Sequence, residues 1–141
     1  MFDTVLNKKD SLERCIQQIR QYYAQPSDKA FADDFMKQDA ISINLQRAAQ
    51  LCIDLANMTI RQQKLGLPKD SGDAFTLLAE TSIISAVMSK HLKGMVGFRN
   101  VLVHEYTKLD LTIMVDVIEH HLDELLDFAQ LILLQFKDTT P

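Results

Sequence analysis

Four polar side chains that can bind or react with a phosphate ester lie close together in a mostly apolar stretch. They are Arg99, Asn100, His104 and Tyr106. Histidine, with an unperturbed pKa of about 6.5, can accept and donate a proton near neutral pH. The planar guanidinium of arginine can hold two phosphate oxygens. Together these groups could cleave RNA without a metal, because a base would activate the 2′-hydroxyl, an acid would protonate the leaving oxygen and a cation would bind the phosphate.

The spacing of these residues divides them between two faces of a helix. Each residue turns the chain by about 100°, so Asn100 and His104 share one face while Arg99 and Tyr106 share another. Arg99 and His104 are then about 140° apart around the axis. They could meet on one ligand only through the reach of the arginine, a helix end near His104, or a second copy of the chain.

A polar row continues the face that carries His104. Lys93, Gly97, Asn100 and His104 follow one another at spacings of four, three and four, with Gly94 beside them. A glycine inside a helix costs about 1 kcal/mol relative to alanine. The two glycines would leave a shallow trough that a partner helix or a phosphate backbone could approach, and Lys93 is a candidate RNA contact.

The same residues also have a purely structural interpretation. A histidine at the end of a helix commonly interacts with the helix dipole. Arg99 could simply pair with Glu105, Asp110 or Asp116, since charge pairs on helix faces are frequent. Spacing alone therefore leaves a structural role and a catalytic role open.

Five segments with helical periodicity must position these residues. Apolar side chains recur every three or four residues in each segment, and no strand-like alternation competes with them. The predicted helices span residues 4–24, 38–64, 73–80, 83–104 and about 110–136. We predict an all-α fold, a mostly antiparallel bundle of about five helices formed by residues 1–141 as a single domain.

Composition limits the class of protein. The chain has 141 residues, 47% of them hydrophobic, and a formal net charge of -4. This charge argues against coating nucleic acid through bulk positive charge, although Lys90, Lys93, Arg99 and Lys108 could form either a local positive field or a solvated face. No apolar run reaches the roughly 20 residues that span a membrane, and the first residues lack the order of a signal peptide. We expect a cytoplasmic protein without membrane contact.

The spacing of cysteines and histidines predicts no metal site. Cys15 and Cys52 each fall in an apolar helical pattern and form no CxxC pair or Cys/His ligand set, so we expect buried thiols in a reducing compartment. His120 and His121 show neither a His-x3-His nor an HExxH arrangement. We interpret His121 as a packed or interfacial residue and His91 as a helix-surface residue, and we predict neither a metal nor a cofactor.

The segment from Arg99 to Tyr106 resembles the RX4HXY signature of the HEPN superfamily, and specifically of HepT toxins from HepT–MntA toxin–antitoxin pairs. Four further blocks resemble HepT segments at similar positions, and these are residues 44–48 (NLQRA), 52–57 (CIDLAN), 65–68 (LGLP) and 75–78 (FTLL). The resemblance therefore covers most of the chain, from the second predicted helix to the fifth.

This resemblance implies a HEPN-like homodimer in which two copies of the motif line one cleft. It implies that Arg99 clamps the phosphate and His104 transfers protons as the catalytic pair, with Asn100 as a polar support. Tyr106 would accept AMP from a cognate MntA-type nucleotidyltransferase antitoxin, and the added charge and bulk would repel the RNA substrate. We expect the dimer surface on the second and fourth helices.

Three functions of different classes follow. The resemblance implies a metal-independent endoribonuclease toxin that is neutralised by AMP transfer. An alternative is a non-catalytic module that binds substrate for, or presents itself to, a minimal nucleotidyltransferase. A third is a structural bundle in which His104 affects stability alone. Cleavage of RNA by the purified chain, and its loss on substitution of His104, distinguishes the first from the other two.

Overall fold

The chain folds into helices joined by short connections. A computed structural model describes residues 1–105 and 109–137. Within these ranges there are six α-helices, which are α1 (Phe2–Ala24), α2 (Phe35–Gln63), α3 (Ser71–Glu80), α4 (Ala86–His104), α5 (Leu111–His120) and α6 (Leu122–Lys137). One turn of 3-10 helix, Phe31–Asp33, precedes α2. The predicted all-α class is confirmed, but the predicted number of about five helices is too low.

The fifth predicted helix is in fact two helices, because the chain departs from helical geometry at His121. Its φ and ψ are -122° and -4°, although its backbone N–H still donates to the carbonyl of Val117 over 3.0 Å. The ring nitrogens of His121 contact carboxylates on either side of the break, Asp116 on α5 and Glu124 on α6. The buried apolar stripe continues from α5 into α6, so periodicity could not reveal the break.

Polar side chains set where four of the helices begin. The residues before α2, α3, α4 and α5 each accept a hydrogen bond from a backbone N–H of the first turn, and they are Asp34, Asp70, Ser85 and Asp110. Ser85 accepts from the N–H of Met88 over 3.0 Å. Ser82 has a positive φ of 62°, which a continuous helix does not allow. The fourth helix therefore begins at Ala86 and not at residue 83 as predicted.

Helix α1 runs antiparallel to both α2 and α6. Lys8 in the first half of α1 contacts Asp54 in the second half of α2 over 3.4 Å. Arg20 near the end of α1 contacts Asp123 at the start of α6 over 2.8 Å. Helices α2 and α6 consequently run parallel to each other, and a side-chain hydrogen bond joins their carboxyl-terminal ends. The predicted antiparallel arrangement thus holds for α1 against its neighbours but not between α2 and α6.

One apolar core holds the helices together. Phe75 of α3 and Phe128 of α6 meet edge to face at its centre, with ring centroids 5.6 Å apart. Burial of such a side chain contributes about 1.5–3 kcal/mol to stability. Helix α4 buries Leu92 and Leu102 in the same core, which fixes the orientation of its other faces. None of the described helices is both long enough and apolar enough to cross a membrane.

Candidate functional site

Helix α4 turns one polar face to solvent. Lys93, Gly97, Asn100 and His104 are all exposed, whereas the buried residues of α4 lie on its other faces. His104 is the last residue of α4, and the following N–H, of Glu105, still bonds to the helix. A substrate could therefore reach the imidazole without displacing a packed side chain of residues 1–105 or 109–137.

Two glycines leave open space beside this row. Apart from its chain neighbours and the backbone of α4, a Cβ atom placed on Gly94 or Gly97 would meet no heavy atom of the described residues within 4 Å. Both glycines line a cavity of about 240 Å³ between α4 and α5, together with Phe98, Val101 and Ile113. The trough expected from the glycines is thus present, and its walls are mainly apolar.

Arg99 reaches towards α2 and also contacts Asn100 of this row. Its Nη2 donates to Oε1 of Gln50 over 2.8 Å, and its Nη1 donates to Oδ1 of Asn100 over 3.2 Å. Its Nε is buried and has no hydrogen-bond partner in the described part of the chain. The salt bridges found among residues 1–105 and 109–137 do not include Arg99. Pairing with a carboxylate of the described residues therefore does not explain why an arginine occupies this half-buried position on α4.

Gln50 is itself held by polar contacts that cross three helices. Its Nε2 donates to Oδ1 of Asp54, one turn along α2, over 3.0 Å. The other carboxylate oxygen of Asp54 accepts from Nζ of Lys8 on α1 over 3.4 Å. Only this orientation of the amide suits both neighbours, because Arg99 can only donate and an ionised Asp54 can only accept.

Gln50 is absent from the site residues predicted from the sequence. The available signal was the spacing of four between Gln50 and Asp54, which places two polar residues on one face of the second helix. That spacing does not say which helix packs against the pair. Only the tertiary contact between α2 and α4 connects Gln50 to Arg99.

The chain presents Arg99 and His104 on different sides of α4. Arg99 is half-buried against α2, whereas His104 is exposed at the end of the helix. No hydrogen bond joins them among the described residues, whose contacts place Arg99 with Gln50 and Asn100. This arrangement agrees with the roughly 140° that separates the two positions around a helix axis.

The cations expected around the motif have different surroundings. Lys90 and Lys93 are exposed on α4. Lys90 lines a cavity of about 250 Å³ together with Asp116, so a carboxylate offsets part of the positive charge on that side. Tyr106, the predicted AMP acceptor, and Lys108 lie outside the described residues.

Both cysteines are buried, as predicted. Burial raises the pKa of the Cys52 thiol to about 12. Burial also raises the pKa of Cys15, although the charges of Arg47 and Arg14 oppose that rise. Because the thiolate is the reactive form, neither cysteine is suited to act as a nucleophile at neutral pH.

Two histidines from separate parts of the chain meet at one carboxylate. Nδ1 of His91 on α4 lies 2.7 Å from Oε2 of Glu124 on α6. Nδ1 of His121 lies 3.0 Å from Oε1 of the same carboxylate, and its Nε2 lies 3.1 Å from Oδ2 of Asp116. From the sequence, His91 was predicted to be a helix-surface residue and His121 a packed or interfacial residue, and no contact between them was predicted. Their spacing along the chain gave no sign of this cluster.

Known proteins are similar to this chain in both sequence and fold. The model of a family described as ribonuclease HepT-like matches residues 12–132. An mRNA nuclease HepT from Shewanella oneidensis is 46% identical over 132 residues, which cover 94% of this chain and 98% of that protein. A solved structure of a tri-AMPylated HEPN toxin from Shewanella oneidensis in complex with MNT antitoxin has a TM-score of 0.87 at 45% identity, over 94% of this chain and 98% of that chain. A toxin–antitoxin structure with AMP-PNP has a TM-score of 0.86 at 45% identity, over 92% of this chain and 97% of that chain.

Proposed function

Because the chain belongs to the ribonuclease HepT-like family, we propose that it is a metal-independent endoribonuclease toxin with Arg99 and His104 as its catalytic residues. The observation that carries this proposal is the exposed row on α4, which ends in a solvent-accessible imidazole. Arg99 binds the scissile phosphate, and Asn100 supports the guanidinium by accepting its 3.2 Å hydrogen bond. Lys93 contacts the RNA backbone from the same exposed row.

The proposed reaction is a phosphoryl transfer within the RNA strand. An imidazole accepts the proton of a 2′-hydroxyl, whose oxygen attacks the adjacent phosphorus. The bond from phosphorus to the 5′-oxygen breaks, and that oxygen receives a proton from an imidazolium. The products are a 2′,3′-cyclic phosphate and a free 5′-hydroxyl. Proton transfer of this kind contributes about 10²–10⁴-fold to a rate, and the arginine stabilises the charge on the phosphate oxygens.

We propose that the active form is a homodimer in which two copies of the motif line one cleft. The different directions of Arg99 and His104 within one chain support this arrangement, because a second chain can supply the missing partner group. Val103 and Ile113, which are 42% and 49% exposed, offer apolar surface near the end of α4 and beside the trough. Contact through this region would remove that surface from water.

A different protein would control this activity. We propose that a cognate MntA-type nucleotidyltransferase antitoxin transfers AMP to Tyr106 and so neutralises the toxin. The AMPylated toxin of the similar complex supports this, as does the position of Tyr106 two residues after His104. An adenylyl group adds negative charge and bulk next to the proposed cleft, and both oppose the approach of an RNA phosphate.

An RNA digest in the presence of a metal chelator tests the proposed activity. Wild type is expected to cleave RNA, whereas His104→Ala and Arg99→Ala each lose about 10²-fold or more. His120→Ala removes another exposed histidine and is expected to cleave like wild type. A purified chain that cleaves no RNA but binds its nucleotidyltransferase would overturn the proposal and support the non-catalytic partner module.

Intact-mass measurement after coexpression with the nucleotidyltransferase tests the modification. Wild type is expected to gain the mass of one or more adenylyl groups, and Tyr106→Phe is expected to gain none. Tyr22→Phe serves as a matched control and should be modified like wild type. Equal mass gain in Tyr106→Phe would show that another residue accepts the AMP.

A further inference from the structure

The cluster of His91, His121 and Glu124 lies apart from the proposed cleavage site and takes no part in it. Its ligand atoms all lie within 4.8 Å of one another. His91 precedes His104 by thirteen residues on α4, and at a rise of about 1.5 Å per residue this places them about 20 Å apart. The cluster therefore needs its own explanation.

Each contact in this cluster needs either an N–H donor or a cation between the imidazole nitrogen and the carboxylate oxygen. Both Nδ1 atoms face oxygens of one carboxylate, at 2.7 Å for His91 and 3.0 Å for His121. A neutral imidazole whose lone pair faced a carboxylate oxygen at such a distance would be repelled. Each gap must therefore hold either a proton, as an N–H donor, or a cation that both sides can bind.

We propose that His91, His121 and Glu124 bind one Zn²⁺ ion through the two Nδ1 atoms and a carboxylate oxygen. In a tetrahedral zinc site, with bonds of about 2.0–2.2 Å, neighbouring ligand atoms stand about 3.3 Å apart. The observed spacing is within reach of that value through small side-chain rotations. Binding displaces the protons between the carboxylate and the rings into solvent, as metal binding to histidine generally does.

Asp116 strengthens the case for a metal over a simple ion pair. Its Oδ2 lies 3.1 Å from Nε2 of His121, which is the nitrogen that the ion does not use. A carboxylate that accepts the second N–H of a ligating histidine fixes the tautomer and makes the other nitrogen a better ligand. The geometry thus provides the ligands together with the outer partner that metal-bound histidines commonly have.

The surroundings allow an ion to enter the cluster. The three protein ligands would leave a fourth coordination position open to water. The side chains of His91, His121 and Glu124 are 40%, 30% and 28% exposed. His91, His121 and Asp116 also line the cavity of about 250 Å³ between α4 and α5. Lys90 lines this cavity too, but it is exposed on a flexible stem and can turn away from a cation.

The charge balance of the cluster also favours a cation. The carboxylates of Glu124 and Asp116 contact the imidazole rings, and their negative charge attracts a divalent ion. Imidazole nitrogens with a carboxylate oxygen suit zinc better than magnesium or calcium, which prefer all-oxygen sites. The ion would join α4 to His121 at the break and to α6 after it.

Zinc titration of the untagged, chelator-treated protein tests this proposal independently of RNA cleavage. Native mass spectrometry should show one Zn²⁺ per chain, and calorimetry should give a single binding event. His91→Ala is expected to weaken binding at least 100-fold, and Asp116→Asn about 10- to 100-fold. Bound Co²⁺ should show the intense visible absorption of a tetrahedral site in wild type and lose it in Glu124→Gln.

The matched control is His120→Ala, which removes the neighbouring exposed histidine and leaves the cluster intact. It should bind zinc like wild type. Because His91 is exposed, His91→Ala is expected to keep the circular dichroism spectrum of wild type, so loss of binding cannot be ascribed to unfolding. Binding that is absent in wild type, unchanged in His91→Ala, or weakened as much in His120→Ala would overturn the proposal.

Discussion

Arg99 is tied to Gln50 by a 2.8 Å hydrogen bond between α4 and α2. The bond fixes an arginine whose Nε is buried, and it holds the guanidinium on a side of α4 that His104 does not share. Asp54 and Lys8 extend the connection to α1. The phosphate-binding group of the proposed site is thus positioned by the packing of three helices.

Substitution of Gln50 should reduce catalysis through Arg99. Gln50→Leu removes the acceptor of the arginine, and we expect RNA cleavage to fall about tenfold, equivalent to about 1.4 kcal/mol. A buried hydrogen bond to a charged group contributes about 1.5–3 kcal/mol to stability. Arg99 is half-buried, so we expect loss of this bond to lower the free energy of unfolding by less than that. Cleavage rates and urea denaturation measure the two effects.

A matched control and a double variant separate positioning from general damage. Gln46→Leu removes a glutamine one turn earlier on α2 that bonds to Ser42, and it should cleave RNA like wild type. Adding Gln50→Leu to Arg99→Ala should cost no further activity, because the residue it positions is gone. A further loss in the double variant would contradict a role that acts through Arg99.

Filling the trough should separate stability from activity. Gly97→Ala adds a methyl group where the isolated chain has open space, so it should stabilise the helix by about 1 kcal/mol. The same methyl group would obstruct a partner helix or RNA, and we expect cleavage or dimerisation to weaken. Thermal melts at low protein concentration, light scattering and digest rates provide the measurements.

Gly66→Ala adds the same methyl group outside the trough and should have the opposite effect on stability. Gly66 has a φ of 125°, which an alanine adopts only with strain, so this change should lower stability. It lies in the connection after α2 and does not line the trough. Gly97→Ala that left dimerisation and cleavage unchanged would show that nothing approaches the trough closely.

Mixing two inactive variants tests whether the proposed site includes both chains. Arg99→Ala and His104→Ala should each be inactive alone. If Arg99 of one chain acts with His104 of the other, a refolded mixture contains dimers with one complete site and should recover cleavage that neither variant has. A mixture as inactive as its components, with mixed dimers shown by mass spectrometry, would mean that both groups must come from one chain.

The cysteines should resist thiol reagents in the native state. With a pKa of about 12, roughly 10⁻⁴ of the Cys52 thiol is ionised at pH 8. Burial also shields Cys15, whose pKa is raised to a smaller extent than burial alone would give. We therefore expect slow labelling by iodoacetamide at pH 8 and rapid labelling of both in urea. Fast native labelling of Cys52 would contradict its packing between helices.

Sequence patterns predicted the helices well where local signals set them. The predicted membership of the HepT family of ribonucleases is confirmed, and so is the all-α class. The end of the fourth helix at residue 104 also agrees with the structure. Its start was misplaced because Ile83 and Ile84 continue the apolar pattern, while the left-handed Ser82 and the cap at Ser85 prevent helix there.

Contacts between distant segments were beyond the reach of these patterns. A hydrophobic stripe shows which face of a helix is buried but not which helix covers it. Gln50 therefore could not be connected to Arg99, nor His91 to Glu124. The break at His121 was hidden for a related reason, since one non-helical residue left the apolar period of α5 and α6 intact.

The packing of α1 against both α2 and α6 also affects how the chain folds during translation. Arg20 and Tyr23 on α1 bond to Asp123 and Glu119, partners that are 103 and 96 residues away in sequence. Domains begin to form from the amino terminus as the ribosome elongates the chain. The hairpin of α1 and α2 therefore keeps one apolar side exposed until α5 and α6 have been synthesised. During that interval we expect the exposed apolar surface of the nascent chain to bind a ribosome-associated chaperone.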